Sequence, residues 1–176
     1  MGNDPDGLIL GKDGNLYGLT TFGSNGYGSV FRIMPDNTFT NLHVFNGADG
    51  ARPWGRLLEA TDGNLYGTTT AGGTNFMGTV FRLNPTGSAF STLYSFSEAT
   101  GWQATGGLVE TSDGSIYGST SLGNGIIFKM TFAGDLMTVT NLTQVTGFGL
   151  VPLTLASDGS IWGLPGLEAR ITAALF

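Results

Sequence analysis

The sequence predicts an all-β fold made of four-stranded β-propeller blades, and three observations predict it. First, DGNLYG recurs: at Asp13–Gly18 and Asp62–Gly67, then as DGSIYG at Asp113–Gly118 and DGSIWG at Asp158–Gly163. The Asp-to-Asp spacings are 49, 51 and 45 residues, and a recurrence of about 40–50 residues marks a repeat architecture. Second, each period holds four short runs of β-branched and aromatic residues separated by Asp-Gly, Pro and Gly-rich turns, the pattern of antiparallel strands. Third, 30 glycines coexist with 40% apolar residues. Such a chain has tight turns and enough apolar surface for a core.

The second repeat shows the elements most clearly. Gly55 to Ala60 reads as a first strand, and Thr61-Asp62-Gly63 as a hairpin turn, because Asp-Gly supplies the positive φ that a tight turn demands. Asn64 to Thr70 alternates as a second strand. A glycine-rich link, Ala71 to Gly78, leads to Thr79–Leu83, a Pro-Gly turn follows, and Phe90–Phe96 forms the last strand. The first repeat places its strands at Leu8–Leu10, Asn15–Thr21, Ser29–Ile33 and Thr38–Phe45. The third places them at Gly107–Val109, Ser115–Thr120, Ile126–Lys129 and Leu136–Leu142.

Phe31, Phe81 and Phe128 coincide, each followed by Arg32, Arg82 or Lys129. Strand alternation puts the phenylalanine against a neighbouring blade and the basic residue toward water. The fourth repeat shows two strands, and 166–176 then aligns with nothing upstream; it fits either a third strand or a terminal helix. The repeats therefore span about 7–54, 55–105, 106–148 and 149–176, with the last incomplete. About three and a half blades cannot close a ring, since propellers have typically 4–8. Open edges invite aggregation, so a two-fold homodimer with seven or eight blade positions is expected.

Net charge is −6 with only seven Lys and Arg. Nucleic acid and anionic membrane are therefore excluded as partners, since both need clustered positive charge. There is no cysteine, so no disulfide or thiolate site. Met1–Asp6 has no basic region followed by an apolar run, so no signal peptide is expected in this stretch.

DGNLYG followed by TT, a glycine-rich link, GTVFR, LHVF or LYSF, and an ADGARP-like segment together resemble the GloVer tandem repeat of bacterial choice-of-anchor proteins. The match covers roughly residues 7–164. The resemblance implies a secreted or surface-anchored bacterial setting, which a propeller-like fold fits; with no signal, anchor or full ring of repeats, this stretch is expected to be a piece of a longer protein. The resemblance implies no catalytic residues.

The repeated acids Asp13, Asp62, Asp113 and Asp158 sit before glycine, where turn chemistry accounts for them. His43 is the lone histidine, aligned with Tyr94 on the outermost strand, and reads as a packing residue. No G-x-S-x-G elbow and no phosphate loop occurs. In a propeller, the loops joining second to third strands share one rim with the blade-to-blade connections. Those loops hold Phe22, Asn25 and Tyr27, then Asn75, Phe76 and Met77, then Asn124. The connections hold Asp49, Arg52, Trp54 and Arg56, then Glu98, Trp102 and Gln103, then Phe148.

Two functions fit that rim. The first is a non-catalytic binding or scaffold module whose glycan or peptide ligand meets Tyr27, Arg52, Trp54, Arg56, Phe76, Trp102 and Gln103, with no cofactor. The second is an esterase-, lactonase- or phosphotriesterase-like hydrolase in the central channel. It would use Asp49 and Glu98 as bases or as oxygen ligands of a divalent metal, with Arg52 and Arg56 holding an anion.

Overall fold

The structure, a computed structural model, describes residues 7–123, 125–141 and 153–162, together with the backbone of 171–172. Strands β1 (Ile9–Leu10), β2 (Leu16–Thr20), β3 (Ser29–Ile33) and β4 (Phe39–Val44) form one antiparallel sheet in chain order. A second sheet contains β5 (Ala51–Glu59), β6 (Leu65–Ala71), β7 (Thr79–Leu83) and β8 (Phe90–Ser95). The third holds β9 (Val109–Glu110), β10 (Ile116–Ser119), β11 (Ile126–Met130) and β12 (Leu136–Asn141). The fourth holds β13 (Thr154–Leu155), β14 (Ser160–Trp162) and β15 (Ile171–Thr172).

The recurring motif explains each hairpin. Gly63 takes φ 81°, a left-handed conformation suited to glycine. Asp62 then accepts bonds from the Asn64 amide at 3.0 Å, the Asn64 side chain at 2.8 Å and the Tyr66 hydroxyl at 2.7 Å. Asp13 repeats all three with Asn15 and Tyr17, at 3.0, 2.7 and 2.6 Å. Burial pushes each carboxyl up, but the combined hydrogen bonds outweigh it and hold both below the ordinary carboxylate value. Burial, followed by the bond to the Asp, pushes the Tyr17 and Tyr66 hydroxyls up. In the third sheet the Thr111 hydroxyl is the main cause holding Asp113 low. It is assisted by the Lys129 ammonium at 3.0 Å.

The glycine that ends DGNLYG has a packing reason. A Cβ on Gly67 would lie 2.4 Å from Cζ of Phe81, whose ring crosses it from the next strand. Gly18 stands in the same relation to Phe31, and Gly118 to Phe128. Bringing Phe81 close to the backbone exposes its other side to the preceding sheet.

Each sheet therefore has a leading face, toward the sheet before it in the chain, and a trailing face, toward the sheet after it. Tyr17, Val30 and Phe45 on the first trailing face pack with Leu57, Leu65, Phe81 and Leu83 on the second leading face. Tyr66, Val80 and Phe96 pack likewise with Leu108, Ile116, Phe128 and Met130, and Tyr117 and Ile127 with Leu153 and Ile161. Each fully buried aromatic or aliphatic side chain contributes about 1.5–3 kcal/mol, so the sheet-to-sheet contacts are the core. The sheet edges are linked too. Glu59 accepts the Lys12 amide at 2.9 Å, and Glu110 accepts the amide and hydroxyl of Thr61.

Three expectations need correction. Arg32 and Arg82 do not face open water. Half-buried, they donate across to the next sheet, Arg32 to the Pro85 carbonyl at 3.4 Å and Arg82 to that of Phe132 at 3.3 Å. Lys129 alone turns back to its own sheet. After 166, Ile171–Thr172 do align with the earlier repeats and take the third-strand alternative, because β15 pairs Ile171 with Ile161 as β3 pairs Ile33 with Leu16. Finally, β5 begins at Ala51 and not at Gly55, because Ala51 and Pro53 already pair with Ala71 and Thr69.

Candidate functional site

The antiparallel order places the β2–β3, β4–β5, β6–β7 and β8–β9 connections at one end of the sheets, so the expected rim exists. The early start of β5 changes what stands there. Arg52, Trp54 and Arg56 belong to a strand and not to a connection. Trp54 is half-buried opposite Thr68. The Arg56 stem lies against Gly7, where a Cβ would come within 2.7 Å of it. Trp102 is half-buried over Gly123, with its backbone bridged to Leu122. Trp54 and Trp102 hold sheets and loops together more than they present a surface, whereas Arg56 is exposed.

Arg52 is different. Its backbone has φ 54°, and Gln103, which stands at the matching place on the way into the third sheet, has φ 56°. Both are non-glycine residues in the left-handed region, which costs about 1–2 kcal/mol, and both are exposed. The same clamp holds each. The Thr70 hydroxyl donates to the Arg52 carbonyl at 3.0 Å, and the Ser121 hydroxyl to that of Gln103 at 3.1 Å. The Arg52 amide also donates to the Tyr27 carbonyl at 2.8 Å. Its guanidinium sits 5.8 Å from the centre of the exposed Phe22 ring, within cation–π range.

A continuous ledge runs from this pair. The exposed Tyr27 ring lies over Gly47, where a Cβ would be 3.0 Å from it. The Gly47 carbonyl accepts the Gly73 amide at 2.9 Å, and the Gly73 carbonyl accepts the Phe76 amide at 3.2 Å. Phe76 ends the ledge, 81% exposed and at φ 59°. Asn25 and Asn75 brace the two loops by donating to the Phe45 and Phe96 carbonyls at 2.6 and 2.9 Å. Phe22 and Arg52 thus meet, a run of backbone contacts links Tyr27 and Phe76 to them, and Gln103 stands at the matching place beside the next sheet. Phe22, which the sequence places in the rim loop, was not among the residues expected to meet the ligand. Its sequence signal is only its place in the same loop as Tyr27. Asn124 and Phe148 lie outside the described residues.

The two acids lie on different connections, Asp49 before β5 and Glu98 after β8. Asp49 is half-buried, and both its oxygens are engaged: Oδ1 accepts the Asn46 amide at 2.9 Å and Oδ2 meets Nε2 of His43 at 2.9 Å. His43 in turn stacks on Phe90 of the second sheet, ring centres 3.6 Å apart. Its expected packing role therefore acquires a polar partner. Glu98 is exposed on a 3-10 turn, Glu98–Thr100, in the following connection. Among the described residues, no group of three or more His, Asp or Glu side chains is placed to hold a metal.

Successive four-stranded meanders, packed face to face around a shared rim, define the chain as part of a β-propeller. Solved structures agree. The extracellular domain of a one-component system from B. thetaiotaomicron is similar, with TM-score 0.65 and 14% identity over 92% of this chain and 20% of that one. A protein classed as a gluconolactonase matches at TM-score 0.65 and 20% identity, over 90% of this chain and 56% of that one. A gluconolactonase from Xanthomonas campestris matches at TM-score 0.61 and 17% identity, over 92% and 55%. The chain thus spans about a fifth of the first and just over half of the other two. No curated protein matches it. The chain belongs to the Gloeobacter/Verrucomicrobia repeat family, whose pattern matches residues 1–168.

Proposed function

We propose that the chain is a non-catalytic binding module of a secreted or cell-surface bacterial protein. Its ligand is a glycan laid along the Phe22–Tyr27–Arg52–Phe76 ledge. One observation carries this reading: Phe76 holds an aromatic ring almost wholly in solvent, on a backbone conformation that glycine fills at the matching Gly26. Neither packing nor local geometry favours phenylalanine there. A ring that stacks on a flat sugar face gives it a use. Arg52, beside Phe22, adds a fork of donors suited to a carboxylate or sulfate on the sugar. No observation favours the hydrolase. The gluconolactonase likeness concerns fold alone, and the oxygens of Asp49 already serve its own turn.

The test is calorimetric titration with neutral and uronic-acid oligosaccharides. Phe76→Gly and Arg52→Gly keep the backbone that each position already has. Each is expected to weaken binding about tenfold, the worth of one well-placed stacking or charged contact. Arg52→Gly should act on the acidic sugars alone. Binding that ignores both substitutions, or no binding by the parent chain, refutes the reading. Lactone or ester hydrolysis that survives both variants and is lost in Asp49→Asn establishes the hydrolase instead.

A further inference from the structure

Four of the described residues other than glycine take a positive φ: Asn37, Arg52, Phe76 and Gln103. Asn37 closes the β3–β4 turn, as Gly87 and Gly134 close the matching turns of the next two sheets, and asparagine suits such a turn. The other three stand on the rim. Backbone held in this region persists only where its surroundings fix it, and it gathers at functional sites. The ledge accounts for Arg52 and Phe76. Gln103 is left over.

Arg52 and Gln103 are each pinned from two sheets. From the sheet that each one enters, the Thr70 hydroxyl holds the Arg52 carbonyl, and the Ser121 amide and hydroxyl hold that of Gln103, at 3.2 and 3.1 Å. From the preceding sheet, a threonine hydroxyl holds the next carbonyl along. Thr21 donates to Pro53 at 3.4 Å, and Thr68 to Ala104 at 2.8 Å. Each of these two sheet boundaries therefore fixes one strained, exposed residue at the same end of the sheets. Only the second sheet, which carries the Phe76 loop, lies between the boundaries, so the two residues stand within about 10 Å, the spacing of packed sheets. A disaccharide spans that distance.

The two side chains differ in chemistry. Arg52 offers a charged fork; Gln103 offers an uncharged amide that both donates and accepts. Trp102 precedes Gln103, half-buried, with part of its ring over Gly123. An amide next to an indole suits an acetamido group, whose N–H and C=O the glutamine matches and whose methyl the ring covers.

We propose that Gln103, with Trp102, is a second subsite that takes an N-acetylated amino sugar beside the acidic sugar at Arg52. The ligand is then a glycan in which the two kinds of unit alternate. The proposal rests on the glycan reading of the ledge and adds the composition of that glycan.

Calorimetric titration with three tetrasaccharides tests it: one all uronic acid, one all N-acetylglucosamine, and one alternating the two. The parent chain is expected to bind the alternating one at least about tenfold more tightly than either of the others, a preference read without any variant. Gln103→Gly keeps the backbone that the position already has, so the variant should stay folded. It should erase the preference for the alternating chain over the all-uronic one and leave affinity for the all-uronic one unchanged. Equal affinity of the parent for those two, or a preference that survives Gln103→Gly, overturns the second subsite. The ledge still stands in that case if Phe76→Gly and Arg52→Gly weaken binding. A parent chain that binds none of the three overturns the ledge, and the second subsite with it.

Discussion

The first and second repeats carry the same DGNLYG motif and the same Asp–Asn–Tyr hydrogen bonds, yet they live in different surroundings. Phe81 is sealed by the first sheet; Phe31 is covered from its own side, stacked on an exposed Phe39 with ring centres 5.2 Å apart. Glu59 caps a neighbour's turn, where Leu10 meets none. The loop that carries Gly26 in one repeat carries Phe76 in the other. What stays identical between them is what a single hairpin needs for itself, and what differs is what each repeat offers to something outside it. The distinction separates structural residues from functional ones without an alignment.

The largest expected effect tests how far the neighbour matters. Gly67→Ala puts a methyl group 2.4 Å from the Phe81 ring, which cannot retreat because Tyr17, Val30 and Phe45 lie behind it. Overpacking of this kind costs about 1–3 kcal/mol or more. Gly18→Ala makes the same clash with Phe31, which among the described residues only Leu8 and the exposed Phe39 of its own sheet cover, so urea unfolding should show a smaller loss. Equal losses would mean that the neighbour contributes nothing to holding the ring.

An intermediate effect should be shared by both repeats, because the hairpin chemistry is shared. Asp13, Asp62 and Asp113 titrate lower in the folded chain than in the unfolded one. Their stabilisation is complete above the ordinary carboxylate value of about 4 and is lost as pH falls through the lower folded values. The tyrosines work in the opposite direction. Tyr17 and Tyr66 titrate higher when folded, so their share is complete below about pH 10 and is lost above it. Melting temperature against pH should therefore form a plateau between those limits. A chain that gained stability below pH 4 would contradict the carboxylate clips.

Most of the architecture was legible because it repeats. The motif spacing, the Asp-Gly turns and the alternation around Phe31, Phe81 and Phe128 follow from local chemistry that one strand or turn contains. Other features depend on what lies across a gap in sequence. Alternation says which side of β3 carries Arg32 but not that the Pro85 carbonyl waits there, 53 residues on. The His43–Asp49 pair likewise needs the curve of a connection. The early start of β5 was hidden because Pro53 and a left-handed Arg52 are poor strand signals. Tyr27, Arg52 and Phe76 were visible in advance, as aromatic and basic residues on the rim; that Phe22 pairs with Arg52 was not.

The smallest expected effect concerns Phe76. Phe76→Gly removes a strain of about 1–2 kcal/mol and adds about 0.5–1 kcal/mol of chain entropy to the unfolded state. It also deletes a ring that is 81% exposed. Stability should rise slightly or stay within about 1 kcal/mol of the parent chain by the same estimates. Gly26→Phe is the mirror experiment: nothing lies within 4 Å of a Cβ there, so it should cost only the strain. Thermal melting of the two variants decides whether the two loops are the same scaffold with different side chains. A loss of several kcal/mol in Phe76→Gly would mean that the ring supports the fold, and the ligand ledge would then lose the residue that argues for it. A neutral or positive change leaves phenylalanine at position 76 without a structural reason to be there, and recognition as the remaining one.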